Sequence, residues 1–257
     1  VGTVIFLADS FTSFTEPHIG RAAIDLLQRA GWSVDLVSSQ CCGRSALSKG
    51  LVDQATANAK AMTGHLHTQT VSGSPIVGCE PSCLFTLRDE HVSMIPGDPR
   101  VREVAERVRQ VEELLGEAID EKRLTLATDS WLAGRKVVYH GHCHQKAEVG
   151  TAATVALLRR LPGAEVVEID AGCCGMAGSF GYEAEHYDLS MRVGSDRLFP
   201  AIEAAGRTTV IAATGTSCRE QIFHGTARSA WHPVELIAQA LVAAPSGRAH
   251  DADNPHH

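Results

Sequence analysis

The chain has 257 residues, of which 44% are hydrophobic and 21% are charged, and its formal net charge is −7. This length is enough for one large domain or two ordinary ones with a buried core, so the fold needs no disulfide framework. The acidic balance, without a basic stripe, argues against nucleic-acid binding, and no apolar run is long enough to span a membrane.

The first part of the chain predicts strands that alternate with helices. Apolar runs at 4–7, 34–37 and 76–77 predict buried strands. Between the first two strands, Pro17 suits the first turn of a helix whose apolar residues follow at helical spacing, and Gly31 ends it. A second helix is predicted over about 53–65, before the third strand.

The same order of elements returns from residue 137. Strands are predicted at 137–139, 166–169 and 210–212, with helices over 149–157 and about 185–198. Three landmarks of the two copies are separated by nearly the same number of positions, so we interpret the chain as an internal duplication. The landmark pairs are Val4 and Val137, Cys42 and Cys174, and Cys83 and Cys218.

We therefore predict an α/β fold of two pseudo-symmetric halves, each a small, mostly parallel sheet flanked by helices. The first repeat, with one long connecting helix from Val101 to Leu115, occupies residues 1–125. The second repeat occupies 126–243, and the polar residues 244–257 form a disordered tail. The chain opens inside a predicted strand and without methionine, which is typical of a fragment of a longer protein.

Clustered cysteines are the strongest functional signal. No secretory signal is evident, and cysteines in a reducing compartment indicate metal or redox chemistry. Ligands of parallel α/β sheets bind beyond the carboxyl ends of the strands, where most of the cysteines fall. In the second half this predicts a site of four thiols, which suits zinc or an iron–sulfur cluster. Its members are Cys143, Cys173, Cys174 and Cys218.

The first half predicts a smaller set, Cys41, Cys42 and Cys83. Ser10 or Phe11 falls where a counterpart of Cys143 would be, so this half could hold a shared cluster, a zinc ion or nothing. Cys79 is interpreted as a core residue at a strand end, and Glu80-Pro81 as plain loop. For both cysteine sets the alternative is a group of buried, inert thiols.

Two Cys-Cys-Gly motifs, each followed some forty residues later by another cysteine, resemble the cysteine-rich CCG domain. This domain occurs in one subunit of heterodisulfide reductase and in the iron–sulfur subunits of glycolate oxidase and anaerobic glycerol-3-phosphate dehydrogenase. Further motifs are similar to the C-terminal region of bacterial single-chain FAD-linked oxidases of D-2-hydroxy acids. They are Glu80-Pro81-Ser82-Cys83, the run 87–90, the run 142–147, the run 172–183 and Gly215-Thr216-Ser217-Cys218.

The resemblance implies a bound iron–sulfur cluster, of the 4Fe-4S type, and an electron-transfer role in a larger oxidoreductase. Electrons would come from FAD on a missing upstream domain, next to a ferredoxin-like domain, after oxidation of D-lactate, D-2-hydroxyglutarate or glycolate. They would pass to a quinone or another carrier. The fragment would be inactive alone, with no catalytic residue of its own, and would be cytoplasmic or peripheral at the inner membrane.

Two alternatives stay open at this point. Four thiolates would also suit a structural zinc module, which is redox-silent. The heterodisulfide reductase resemblance also allows direct disulfide chemistry. Family members often end each repeat in Cys-x-x-Cys, whereas Glu80 and Gly215 stand three positions before Cys83 and Cys218 here. These departures weaken the disulfide hypothesis.

Overall fold

The computed structural model describes residues 1–38, 40–70 and 73–242. The predicted tail over 244–257 lies outside the described residues. The first half contains strands β1 (Gly2–Leu7), β2 (Trp32–Val37) and β3 (Ile76–Val77). Its helices are α1 (Pro17–Arg29), α2 (Arg44–Ser48), α3 (Val52–Thr70), α4 (Pro81–Thr86), α5 (Glu90–Met94), α6 (Pro99–Arg107) and α7 (Val111–Asp120), and a short π-helix spans Phe11–Thr15.

The second half repeats the order of the strands, but within the described ranges two helices follow its third strand where four follow β3. Its strands are β4 (Lys136–His140), β5 (Glu165–Glu168) and β6 (Val210–Ala213). Its helices are α8 (Cys143–Glu148), α9 (Ala152–Leu158), α10 (Ala184–Ala204), α11 (Thr216–Thr226) and α12 (Pro233–Ala240), and a 3-10 turn spans Phe180–Tyr182.

Each half builds one parallel three-stranded sheet with its first strand in the centre. The strand orders are β2-β1-β3 and β5-β4-β6, so the two sheets have the same topology. In the central strands every apolar residue is buried, because helices cover both faces of a parallel sheet. The predicted fold class, two pseudo-symmetric α/β halves, is confirmed.

The predicted long connecting helix is wrong. The segment forms two helices, α6 and α7, and the chain is extended at Val108. Val108 forms a parallel bridge with Ile76, and the Arg109 N–H donates to the Ile76 carbonyl at 2.9 Å. Gln110 and Glu113 then form a capping box that restarts the helix. A sheet contact therefore interrupts an otherwise helical pattern.

The last helix of each half crosses to the other half. Helix α7 packs against α9, and α12 packs against α1. Trp231, just before α12, bridges Ala212 of β6 as Val108 bridges β3. One hydrophobic cluster consequently contains residues of both halves, among them Phe6 and Tyr139. The two repeats share a core and support one another.

None of the helices in the described ranges is long and apolar enough to cross a lipid bilayer.

Candidate metal centre

The second-half thiols all lie beyond the carboxyl ends of strands. Cys143 is the first residue of α8, after β4, and Cys218 lies in the first turn of α11, after β6. Cys173 and Cys174 lie in the loop that follows β5. Because the three strands are parallel, their ends meet at one edge of the sheet and bring the four thiols together.

These four thiols form a row of contacts, from Cys143 to Cys173, then Cys174, then Cys218. Hydrogen bonds from their neighbours lower the pKa of Cys173 and Cys218, whereas the same bonds raise the pKa of Cys143 and Cys174. Four adjacent thiols, two of them buried, cannot all ionise without a compensating positive charge. A bound metal cation would supply that charge.

Both Cys-Cys-Gly loops have the same local geometry. The Gly43 N–H donates to Cys41 Sγ at 3.4 Å, and the Gly175 N–H donates to Cys173 Sγ at 3.3 Å. The two glycines have positive φ angles of 85° and 99°. A Cβ on Gly175 would lie 2.2 Å from the Ser190 carbonyl oxygen of α10. Glycine is therefore required by backbone conformation and by the long helix packed against the loop.

The first half brings together three thiols rather than four. Contacts join Cys41 to Cys42 and Cys42 to Cys83, and burial contributes to the raised pKa of all three. They line a small cavity of about 40 Å³ together with Asp9 and Ser10. By the repeat offset, Asp9 and Ser10 stand where the second half has His142 and Cys143. Burial, followed by the charge of Glu80, raises the pKa of Asp9 to about 6.

Cys79 lies apart from these sets. It is buried in the hydrophobic cluster shared by both halves, and burial raises its pKa well above the usual range. Its carbonyl oxygen lies 3.1 Å from Nε2 of the buried His232. The placement matches the interpretation of Cys79 as a core residue.

Three histidines surround the second-half thiols. His140 is fully buried beside Cys218, and the Cys174 thiol together with His140 lowers the pKa of Cys218. The His142 Nδ1 accepts the His144 N–H at 3.2 Å and so caps α8. The His144 Nε2 lies 3.4 Å from Glu90 Oε2 in the first half. The buried His140 imidazole is therefore a further polar group in contact with the thiol set.

A buried polar network joins the halves next to the thiols. It consists of Glu16 and Glu80 from the first half and Thr216 and Arg219 from the second, and we call it the interhalf network. The Arg219 Nε donates to Glu16 Oε1 at 3.0 Å, and the Thr216 hydroxyl donates to Glu16 Oε2 at 2.6 Å. Burial raises the pKa of Glu16, but the Arg219 charge outweighs it and the pKa is lowered to about 2.

Sequence reasoning missed the carboxylates of this network. Glu80, expected in plain loop, is the N-cap of α4, and its Oε1 accepts the Ser82 N–H at 3.1 Å. The available signal was Pro81, because proline is typical of the first position of a helix and makes the preceding residue a candidate N-cap. The partner of Glu16 had no local signal, since it lies 203 positions further along the chain.

One further group has the spacing of a metal site. Ligand atoms of Glu183, Glu185 and His186 lie within 4.8 Å of one another, and in the described ranges no other such set of three was found. The group is partly exposed, and Glu183 pairs with Lys49 of the first half. Its contacts are those of a surface ion pair that joins the halves.

The four second-half thiols are the donor set of a soft metal centre. A tetrahedral zinc site with four thiolates places the sulfurs about 3.8 Å apart. Among the described cysteines, no three sulfurs lie within 4.8 Å of one another, since the contacts run along a row. Soft thiolate donors suit both zinc and iron–sulfur centres. The residues present therefore fit such a group.

Comparisons with known proteins support the duplication. The family model of the CCG cysteine-rich domain matches residues 8–88 and 137–222. The C subunit of the anaerobic glycerol-3-phosphate dehydrogenase of Escherichia coli (strain K12) is 32% identical over 93% of this chain and 59% of that subunit. The D-2-hydroxyglutarate dehydrogenase of the same strain is 26% identical over 93% of the chain and 23% of that protein.

A third relative is lactate utilization protein A of Bacillus licheniformis, 30% identical over 68% of this chain and 71% of that protein. Two of the three relatives are named as a dehydrogenase or its subunit, so they belong to oxidoreductases by name. The chain spans 59% of the length of the glycerol-3-phosphate dehydrogenase subunit and less than a quarter of the D-2-hydroxyglutarate dehydrogenase.

Proposed function

Because the chain belongs to the family of CCG cysteine-rich domains, we propose that it is an iron–sulfur electron-transfer module of a FAD-linked 2-hydroxy acid dehydrogenase. The second half holds the cluster through its four thiols. The observation that carries the proposal is the row of contacts among these four thiols at one sheet edge. The row begins at Cys143 and ends at Cys218, which are far apart in sequence.

The chain's own residues prepare this site. The Gly175 N–H donates to Cys173 Sγ and stabilises the thiolate, as amide hydrogen bonds do at cluster sulfurs. Cys174 and Cys218 are buried, which excludes water from the inner side. Cys143 is exposed and Cys173 is partly exposed, so the outer side faces an electron partner. A bound iron–sulfur cluster supplies one-electron acceptance and release.

The relatives support partners outside this chain, because each dehydrogenase relative is longer than the region that matches. FAD and a ferredoxin-like domain lie on other parts of the same polypeptide, and a quinone or another carrier accepts the electrons. The relatives named as D-2-hydroxyglutarate dehydrogenase and lactate utilization protein A support a substrate of the D-2-hydroxyglutarate or lactate type, and the motif resemblance adds glycolate as a further candidate. In the first half, Cys41, Cys42 and Cys83 form a second, smaller metal site in the cavity beside Asp9.

The test is the content of iron, zinc and acid-labile sulfide per chain, after purification without oxygen. We expect about four iron and four sulfide for one 4Fe-4S cluster, and about twice that if the first half is also filled. About one zinc without sulfide would overturn the proposal and indicate a structural module. Cys174→Ser should remove the second-half metal, whereas the matched control Cys79→Ser should leave it in place.

Function is tested in the complete dehydrogenase. With Cys174→Ser, the 2-hydroxy acid should still reduce the flavin in a single turnover, because flavin chemistry does not use the thiols. Transfer from the reduced flavin to the outer acceptor should be lost. Unchanged steady-state turnover with that acceptor would contradict an electron-transfer role for the second half.

A further inference from the structure

One buried carboxylate touches the helices that carry a cysteine in each half. Glu80 Oε1 accepts the Ser82 N–H at 3.1 Å and the Ser82 hydroxyl at 2.6 Å. Its Oε2 accepts the Thr216 N–H at 2.8 Å. Ser82 lies one position before Cys83 in α4, and Thr216 lies two positions before Cys218 in α11. The same side chain therefore holds the first turns of both cysteine-bearing helices.

The surroundings of Glu80 keep it charged. The residue is 3% exposed, and burial alone would raise its pKa. The His142 ring, the Ser82 and Thr216 donors and the Arg219 charge outweigh burial, so its pKa lies below the usual range. An ionised carboxylate forms stronger hydrogen bonds to backbone N–H groups than a neutral acceptor does.

The second half has no carboxylate at the position equivalent to Glu80. The counterpart of Glu80 is Gly215, where a Cβ would lie 2.3 Å from the His142 ring. The second half thus has no room for a side chain at this position. The carboxylate that accepts an N–H of its helix α11 is instead Glu80 of the first half. In sequence, Glu80 and Gly215 hold the positions where the family pattern often has the first cysteine of Cys-x-x-Cys.

We infer that Glu80 is a positioning residue for both thiol sites, so that metal binding in the first half and in the second half depends on the same carboxylate. The inference rests on the proposed function, because it assigns metal to the thiols. It implies that the loss of Glu80 weakens both sites together, although only Cys83 is its neighbour in sequence.

The two halves can be tested separately in the full chain with Co²⁺ as probe, under oxygen exclusion, by the absorbance of cobalt–thiolate bonds. A Cys42→Ser, Cys83→Ser background leaves the second-half thiols. A Cys174→Ser, Cys218→Ser background leaves those of the first half. The dissociation constant for Co²⁺ is then measured in each background with and without Glu80→Ala.

Glu80→Ala should weaken cobalt binding about tenfold or more in both backgrounds, the equivalent of one charge-assisted hydrogen bond per helix. The matched control is Asp98→Ala, because Asp98 also precedes a proline and accepts the N–H of the second following residue, at 3.0 Å, in α6 without a cysteine. Both variants lose a helix cap, but the control should leave cobalt binding within about twofold in each background.

Glu80→Asp separates the two contacts and replaces Glu80→Ala if that variant fails to fold. The shorter acid still caps α4, as Asp98 caps α6, but does not reach Thr216. It should weaken cobalt binding in the second half alone. If cobalt affinity falls only at the first-half thiols, or at neither set, the inference is overturned while the proposed function stands. Wild-type protein that binds no cobalt at either set of thiols would overturn both.

Discussion

The two halves of this chain share a topology and differ in the residues that face their thiols. Both sheets place the first strand in the centre, and both Cys-Cys-Gly loops donate a glycine N–H to a sulfur. After the central strand, however, the second half has His142 and Cys143, whereas the first has Asp9 and Ser10. The duplicated scaffold is preserved by buried apolar strands, while the loops at the strand ends are free to change chemistry.

The two halves also contact one another through buried groups and helices. Arg219 of the second half pairs with Glu16 of the first, and the last helix of each half packs on the other. The comparison is therefore tested first by a substitution that removes a contact between the halves. It is then tested by substitutions at positions that are equivalent in the two halves.

The largest effect on stability is expected for Arg219→Ala. The pair with Glu16 is buried on both sides, so removal of the cation leaves an uncompensated buried carboxylate. The free energy of unfolding, measured with denaturant, should fall by about 3–5 kcal/mol. The matched control is Arg29→Ala, whose partner Asp25 is exposed, and it should cost about 1 kcal/mol or less. Equal small losses would mean that the interhalf network does not hold the halves together.

Next in size is the comparison of Gly175→Ala with Gly43→Ala. Both positions have positive φ, which costs an alanine about 1–2 kcal/mol. At Gly175 the added Cβ also meets the Ser190 carbonyl oxygen at 2.2 Å, whereas at Gly43 the nearest atom, the Ala55 carbonyl oxygen, lies at 3.1 Å. Gly175→Ala should therefore lose about 2 kcal/mol more in thermal or denaturant unfolding. A larger loss of stability for Gly43→Ala would show that the first-half loop is the more closely packed one.

The smallest effect concerns Glu112, the second residue of α7, whose counterpart in α12 is Val234. Burial raises the pKa of Glu112 from 4.5 to about 7. Folding thus favours the protonated acid, and the free energy of unfolding should fall as the pH rises from about 4.5 to about 7. Glu112→Gln should remove this slope and stabilise the protein by about 1–2 kcal/mol at pH 8. The exposed control Glu106→Gln should leave the slope unchanged, and an unaltered slope in Glu112→Gln would refute the assignment.

Local sequence signals determined the strands, most of the helices and the duplication. Apolar β-branched runs such as 137–139 predict buried strands by themselves, and the spacing of Cys42 and Cys174 carries the repeat. Parallel topology then places the cysteines at one sheet edge, because it fixes which strand ends are neighbours. The two thiol sets could therefore be predicted without coordinates.

The tertiary structure alone decided how the halves meet. The extended backbone at Val108, the exchange of α7 and α12, and the contact of Glu80 with Thr216 depend on partners far away in the chain. Thr216 lies 136 positions after Glu80, and no periodicity or motif links the two. Short-range patterns report the local preference of a segment, whereas a buried carboxylate is stable only where distant donors compensate its desolvation. That compensation exists only once both halves are folded together.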